Sequence, residues 1–159
     1  FLPRNTSVLE SGSGATRVFN IHHPWSNSQV YWSAAGNQIN KPAKADEYKD
    51  NWVHWIFTIN RDTGDQKIYK DGQSWHSGTA KFSAWLQADT FRLGAGRTLT
   101  NYWHGVLDNL AIYNRELTET EVSTLFTRIV AWSVCRFDCL NPSPFLAPNK
   151  PYKYSLLIM

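Results

Sequence analysis

Residues 51–60 read NWVHWIFTIN, and their apolar pattern repeats every second position. In an extended chain successive side chains point to opposite faces. Val53, Trp55, Phe57 and Ile59 therefore share one face, and Trp52, His54, Ile56 and Thr58 the other. The first set is wholly apolar and reads as the buried face of a sheet. Trp55 is assigned to core on this ground, while Trp52 and His54 are left open to core or ligand.

The rest of the chain follows the same grammar. Helical periodicity is nearly absent, and short β-branched and aromatic runs alternate with turn signals. Strands are predicted over 16–23, 29–35, 51–60 and the QKIYK run at 66–70. The Asp71-Gly72 pair marks a type I′ hairpin, and 73–80 forms its return. That hairpin pairs Lys70 with Gln73, Tyr69 with Ser74 and Ile68 with Trp75, which puts Trp75 inside and His76 near a rim. Further strands are predicted over 89–96 and 102–114, and a polar loop over 37–51. Many short strands at regular spacing imply an all-β antiparallel sandwich. One helix is expected near 118–127, with Thr118 as N-cap and Glu121 three residues on completing a capping box. Its Val122, Leu125 and Phe126 form a short apolar face that closes one end of the sandwich.

Composition narrows the function classes. The chain has 159 residues, enough for one domain. Aromatics make up 14%, with eight Trp, and charged residues only 18%. Such a chain shows rings where most proteins show Lys and Glu. The net charge of +3 suggests a basic partner until it is mapped. Residues 1–126 carry twelve basic and twelve acidic side chains, and the excess lies wholly in 127–159. With no basic stripe, nucleic acid is not a predicted partner. No apolar run reaches membrane-spanning length, so no membrane partner is predicted either. No signal peptide is visible, and the chain reads as a mature or excised piece. Cys135 and Cys139 stand too close together for a disulfide to close much chain, and no further zinc ligands flank them.

After Arg128 the texture changes. Four of the seven prolines fall in this tail. The sequence is taken as a sandwich over 1–126 and a separate segment over 127–159, within which 128–137 alternates as a strand would.

Two local patterns pose chemical questions. In 105–114, Asp108 shares a parity with Val106, Leu110 and Ile112. A carboxylate buried there unpaired would cost several kcal/mol. A structural calcium, an arginine, backbone amides or a bulge would each resolve this, and calcium with Asp108 as ligand is the cofactor expected. In 20–32, NIHHPWSNSQVYW, a three-residue SNS loop sets Trp25 opposite Gln29, His23 opposite Tyr31 and His22 opposite Trp32. His22 and His23 then face opposite sides, which argues against a shared zinc ion.

Three motifs together carry a resemblance. Trp52 and His54 lie in one strand, Tyr69, Asp71 and Gly72 form a hairpin, and Gly105, Asp108, Tyr113, Asn114 and Leu117 precede a capped helix. In order and spacing the chain resembles the laminin-G-like, concanavalin A-like lectin/glucanase superfamily over about residues 1–126, in the form found in secreted multidomain bacterial proteins. The resemblance implies a jelly-roll sandwich of two antiparallel sheets and a secreted or cell-surface setting. It implies a ligand, glycan or extracellular protein, held on a rim or on the concave sheet. Such domains usually open with an earlier strand, which this chain is expected to lack. Residues 128–137 are expected to fill the vacated place, or another copy to do so by strand exchange in a homo-oligomer. Ser33 stands where an Asp is usual, so an acid-dependent ligand contact there is not expected.

Fold does not decide function. A glycosidase on this scaffold needs two carboxylates at defined separation, and the Glu-x-Asp-x-Glu triplet of the glucanase branch is absent. The leading expectation is a non-catalytic module that binds carbohydrate, stacking sugar on aromatic faces and bonding hydroxyls with His and Asn. Its candidate contacts are Trp25, Tyr31, Trp32, Trp52, His54, His76, Tyr102 and Trp103. A structural or protein-interaction module without a sugar site is the alternative, and a glycoside hydrolase the third reading.

Overall fold

The computed structural model describes residues 5–14, 16–79, 88–134 and 155–158, the side chains of 129–134 and 155–158 excepted. Among the described residues ten strands form two antiparallel sheets. They are β1 (Leu9–Ser13), β2 (Thr16–His22), β3 (Gln29–Ala34), β4 (Asn37–Pro42), β5 (Trp55–Ile59), β6 (Asp65–Lys70), β7 (Gln73–Thr79), β8 (Thr90–Leu93), β9 (Ala111–Tyr113) and β10 (Ser155–Ile158). One sheet runs β4-β3-β2-β1-β8 and the other β7-β6-β5-β10-β9. One helix, α1, spans Glu119–Val134. Among the described residues no helix is long and apolar enough to cross a membrane.

Register explains the layering. Leu93, Leu9, Ile21, Trp32 and Ile39 pair in turn across all five strands of the first sheet. This row faces the second sheet, whose Trp55, Phe57, Ile59 and Ile68 complete the core. The alternation read from residues 51–60 holds over Trp55–Ile59: Trp55, Phe57 and Ile59 enter the main core, and Ile56 lies on the opposite face with Tyr69, Leu117 and Val122. The second small core is what α1 covers. Its N-terminus is the expected capping box: the Glu121 N–H donates to Thr118 Oγ1 at 3.3 Å, and the Thr118 N–H to Glu121 Oε2 at 2.9 Å.

Next to the apolar row lies a polar one. Arg92, Glu10, Asn20, Ser33 and Gln38 pair in turn on the other face of the same five strands. Glu10 is buried and ion-paired to Arg17 Nε at 2.9 Å and to Arg97 Nε at 3.1 Å. A buried carboxylate with two guanidinium partners meets the requirement that buried charge be compensated.

Several expectations are corrected. Residues 37–42 form β4, not loop: Ala35 (φ 47°) and Gly36 (φ 84°) make a tight turn, and Ile39 is the one buried apolar residue of this edge strand. An edge strand needs little apolar content, so its sequence looks like loop. β1 went unpredicted because LESGS reads as a turn, and the strand carries a bulge between Ser11 and Gly12. A Cβ on Gly12 would lie 2.3 Å from the Thr16 carbonyl oxygen, so only glycine fits. The helix does not stop near 127, and 128–134 is helical rather than strand. A short alternating run fits either state, and a helix already nucleated by its cap propagates cheaply. Residues 135–137 lie outside the described residues. Residues 155–158 form β10, which follows the last proline and pairs with β5 and β9. In the Asp71-Gly72 hairpin both residues have positive φ, 49° and 77°, as a type I′ turn requires. A bulge beyond Tyr69 then pairs Ile68 with His76 rather than Trp75. Trp75 still packs on the core, edge-on to Trp55.

Candidate functional site

The β2–β3 hairpin is one residue out of the expected register. His22 pairs with Tyr31, and Ile21 with Trp32. The Trp25 N–H donates to the Gln29 carbonyl at 2.8 Å, so the first strand holds one residue more than its partner. The surplus falls at His23 and Pro24, which are joined by a cis peptide bond. Pro24 has no N–H to give the ladder, which makes this the natural point for a bulge. His22 and Tyr31 thus lie on the polar face, while His23 turns inward.

His23 sits against Trp55 with ring centroids 4.5 Å apart, Trp103 at 5.9 Å and Tyr48 at 6.0 Å. His23, Tyr48 and Trp103 line a cleft with a volume of about 510 Å³. One wall is the 45–52 loop, with Tyr48, Lys49, Asp50, Asn51 and Trp52; the other is 103–106, with Trp103 and His104. Thr6 and Pro24 lie between, tied by the Thr6 hydroxyl donating to the Pro24 carbonyl at 2.8 Å.

Both walls are anchored locally. A short 3₁₀ turn, Ala45–Glu47, opens the first loop. Glu47 accepts the Lys44 N–H at 2.8 Å and the Trp75 indole N–H at 2.8 Å, which fixes the loop to β7. The second wall is held by the Trp103 N–H donating to the Gly94 carbonyl at 2.8 Å and the Ser7 N–H to the Asn101 carbonyl at 2.7 Å. Gly105 is required by contact: a Cβ there would lie 2.8 Å from Trp103 Nε1.

Adjoining the cleft, and sharing His23, Tyr48, Asn51, Trp52, Trp103 and Val106 with it, is a smaller pocket of about 60 Å³ lined also by Val8, Ile21, Val53, Trp55, Phe57 and Leu107. His23 Nε2, Trp55 Nε1 and Trp103 Nε1 are all buried and have no hydrogen-bond partner among the described residues. Burial pushes the His23 imidazole down to about 4, against a weaker upward pull from a hydrogen bond to its own backbone and from Glu47. The ring is neutral at pH 7. With its proton on Nδ1, Nε2 is an acceptor.

The candidate residues do not gather in one place. Trp52 (66% exposed) and Trp103 line the cleft together. Trp25 and Tyr31 gather instead around His22 on the polar face, at ring distances of 4.1 and 6.1 Å. There Tyr31 accepts the Asn27 side-chain N–H at 2.8 Å. Tyr102 is exposed but does not line the cleft, and His76 stands beside Trp75 at the β7 edge. Trp32 and His54 are corrected to structural residues. Trp32 is buried in the core, and its indole N–H donates to the Thr58 carbonyl at 2.8 Å. His54 is buried under α1, its ring stacked 5.7 Å from Phe126, and burial pushes it down to about 4 despite the nearby Asp71.

Asp108 is also corrected. It lies before β9 in irregular chain and is exposed, as are Val106, Leu110 and Ile112. Its carboxylate accepts the Asn109 N–H at 2.8 Å. The argument for calcium rested on burial, and an exposed carboxylate needs no cation. Among the described residues no group of three His, Cys, Asp or Glu side chains is placed to hold a metal.

Sequence reasoning missed His23, Tyr48 and Asn51 as cleft residues. The Pro24 that forces the bulge was the available signal.

Residues 2–123 match the family model described as the concanavalin A-like lectin/glucanases superfamily. No curated protein and no solved structure matches the chain.

Proposed function

The chain belongs to the concanavalin A-like lectin/glucanase superfamily, and from that premise we propose that it is a non-catalytic module binding carbohydrate in the cleft between residues 45–52 and 103–106. The observation that carries this reading is that Trp52 and Trp103 line one cleft together with the polar groups of Lys49, Asp50, Asn51 and His104. Flat rings offer stacking surfaces to sugar C–H faces. Asn51, Asp50, Lys49 and His104 offer hydroxyl partners. A cleft of about 510 Å³ falls in the usual size range of small-ligand sites.

The non-catalytic part rests on two features. Asp50 is the one carboxylate among the cleft's lining residues, and a glycosidase needs a pair. The described residues do hold a serine, histidine and acid in contact: Ser7 Oγ lies 3.2 Å from His22 Nδ1 and 3.4 Å from Glu10 Oε2. That histidine nitrogen faces the Thr6 carbonyl at 2.8 Å, so it carries a proton and cannot take one from Ser7. All three residues are buried, where no substrate reaches.

A protein-interaction role is the second reading. Phe91 and Leu93 of β8 and Ile112 of β9 are each 43–50% exposed, at the edge of the sandwich away from β4 and β7. A glycan or extracellular protein as partner, and secretion, belong to this same proposal.

The test is a glycan array followed by calorimetry on Trp52→Ala. Because Trp52 is exposed, the variant keeps its melting temperature, and affinity for a hit falls at least tenfold. Unchanged affinity moves the site off this cleft. An array blank across neutral plant, algal and bacterial glycans favours the interaction module.

A further inference from the structure

The small pocket and the cleft beside it divide their chemistry. The six residues that line only the pocket, Val8, Ile21, Val53, Trp55, Phe57 and Leu107, are all apolar. The charged side chains of Lys49 and Asp50 line only the cleft, as do His104 and Thr6. Tyr48 and Asn51 line both and stand where the two meet. Val8, Ile21, Trp55 and Phe57 are buried core. Val53 and Leu107 pack against that core and stay partly exposed, while Val106 and Trp52, shared with the cleft, are exposed. The surface offered inside the pocket is therefore aliphatic and ring carbon. The indole nitrogens of Trp55 and Trp103 and Nε2 of His23 are buried, so these three rings add no polar contact through them.

Such a lining selects by size and polarity. A volume of about 60 Å³ is roughly that of two waters, room for a methyl-sized group and too little for a sugar ring. A hydroxyl placed there gives up hydration and finds no partner on the aliphatic walls. A methyl gains by leaving water. The cleft calls for the opposite groups, since Lys49, Asp50, Asn51 and His104 bond hydroxyls.

We infer that the pocket is a subsite for a methyl group carried by a sugar whose ring lies in the adjoining cleft, either the ring-borne methyl of a 6-deoxyhexose or the methyl of an acetylated sugar. The inference rests on the carbohydrate reading of the cleft and adds a selectivity to it. An apolar pocket rejects an added hydroxyl by up to about a hundredfold, and about tenfold is expected here because exposed Val106 and Trp52 leave the pocket open to water.

Two arms test this on the full chain, labelled with ¹⁵N and ¹³C and followed by NMR. Xenon probes the pocket without any sugar. Apolar cavities take up xenon, so the Val53 and Leu107 methyl signals should shift under it; signals that stay in place overturn the apolar pocket and the inference. The sugars come in matched pairs, methyl α-L-fucoside with methyl α-L-galactoside, and methyl N-acetylglucosaminide with methyl glucoside. In at least one pair the methyl-bearing member should bind about tenfold tighter and move the Val53 and Leu107 methyls together with the Trp52 indole. The pair that does so identifies which methyl is held, and Val53→Thr should bring its ratio near one. Equal affinity within both pairs, or a preference that leaves Val53 and Leu107 unmoved, overturns the subsite and spares the cleft as long as Trp52 responds. A Trp52 signal untouched by all four sugars overturns the carbohydrate reading of the cleft and the subsite with it, while the xenon arm still reports on the pocket alone.

Discussion

Mild acid should loosen this sandwich well before its carboxylates titrate. His23 and His54 are buried, and in both cases burial holds the imidazole down to about 4 against an ordinary value of 6.5. The sign follows from linkage. Above pH 6.5 both rings are neutral whether folded or unfolded, and pH has no leverage. Between 6.5 and 4 the unfolded chain takes up protons that the folded chain refuses, so stability falls as pH falls. At pH 5 the loss amounts to about 2 kcal/mol per histidine, or about 4 kcal/mol for the pair. His22, also lowered by burial, adds in the same direction. The acids act elsewhere: the Arg115 and Thr118 contacts hold Glu121 at about 2, so its contribution disappears only as pH falls below the ordinary glutamate range. The assay is urea unfolding followed by Trp fluorescence at pH 7.5, 6 and 5, on the parent chain and on His23→Gln/His54→Gln. The parent should lose several kcal/mol across that range, and the double variant less than half as much. A parent midpoint that stays flat to pH 5, or an equal fall in both proteins, would refute the assignment of the loss to these rings.

Two further outcomes test the structure at points the sequence misread. Gly12→Ala drives a Cβ into the Thr16 carbonyl oxygen, 2.3 Å away, at the β1 bulge. Overpacking against backbone costs about 2 kcal/mol, or roughly 4–8 °C in melting temperature for a chain of this size; a calorimetric melt unchanged by the substitution contradicts the bulge. Excess chelator should leave the same melt in place because Asp108 is solvated, and a drop of several degrees would restore calcium.

The core was legible in the sequence and most of the cleft was not. The parity of residues 51–60 placed Trp55, Phe57 and Ile59 correctly because burial on one face is written directly as alternation. Thr118 and Glu121 placed the helix start because a capping box is local. Where the reading failed, the determinant was non-local or cost one residue. β4 has a single buried apolar residue, Ile39, so nothing distinguished it from loop. The bulge at His23 and Pro24 changed which histidine accompanies Tyr31. Every assignment downstream of that register moved with it: Trp32 to the core, Tyr31 to the polar face, His23 to the cleft. Trp52 and Trp103 stand 51 positions apart in the chain, and only the folded loops bring them together.

The same bulge separates stability from binding in a way that can be measured. His23 lines the cleft and the pocket beside it and also carries part of the acid sensitivity. If it titrated near its ordinary value, ligand affinity would change between pH 7 and 5.5 as the ring became charged. Because burial keeps the ring neutral down to about 4, it stays uncharged throughout that interval. The free cleft is therefore the same at pH 7 and 5.5 even though the fold around it is weaker. Titration by calorimetry at pH 7, 6.2 and 5.5, below the melting range, should give affinities within twofold of one another. A tenfold change over the same interval would place the histidine's titration near neutrality, because only a ring that changes charge there can couple binding to pH.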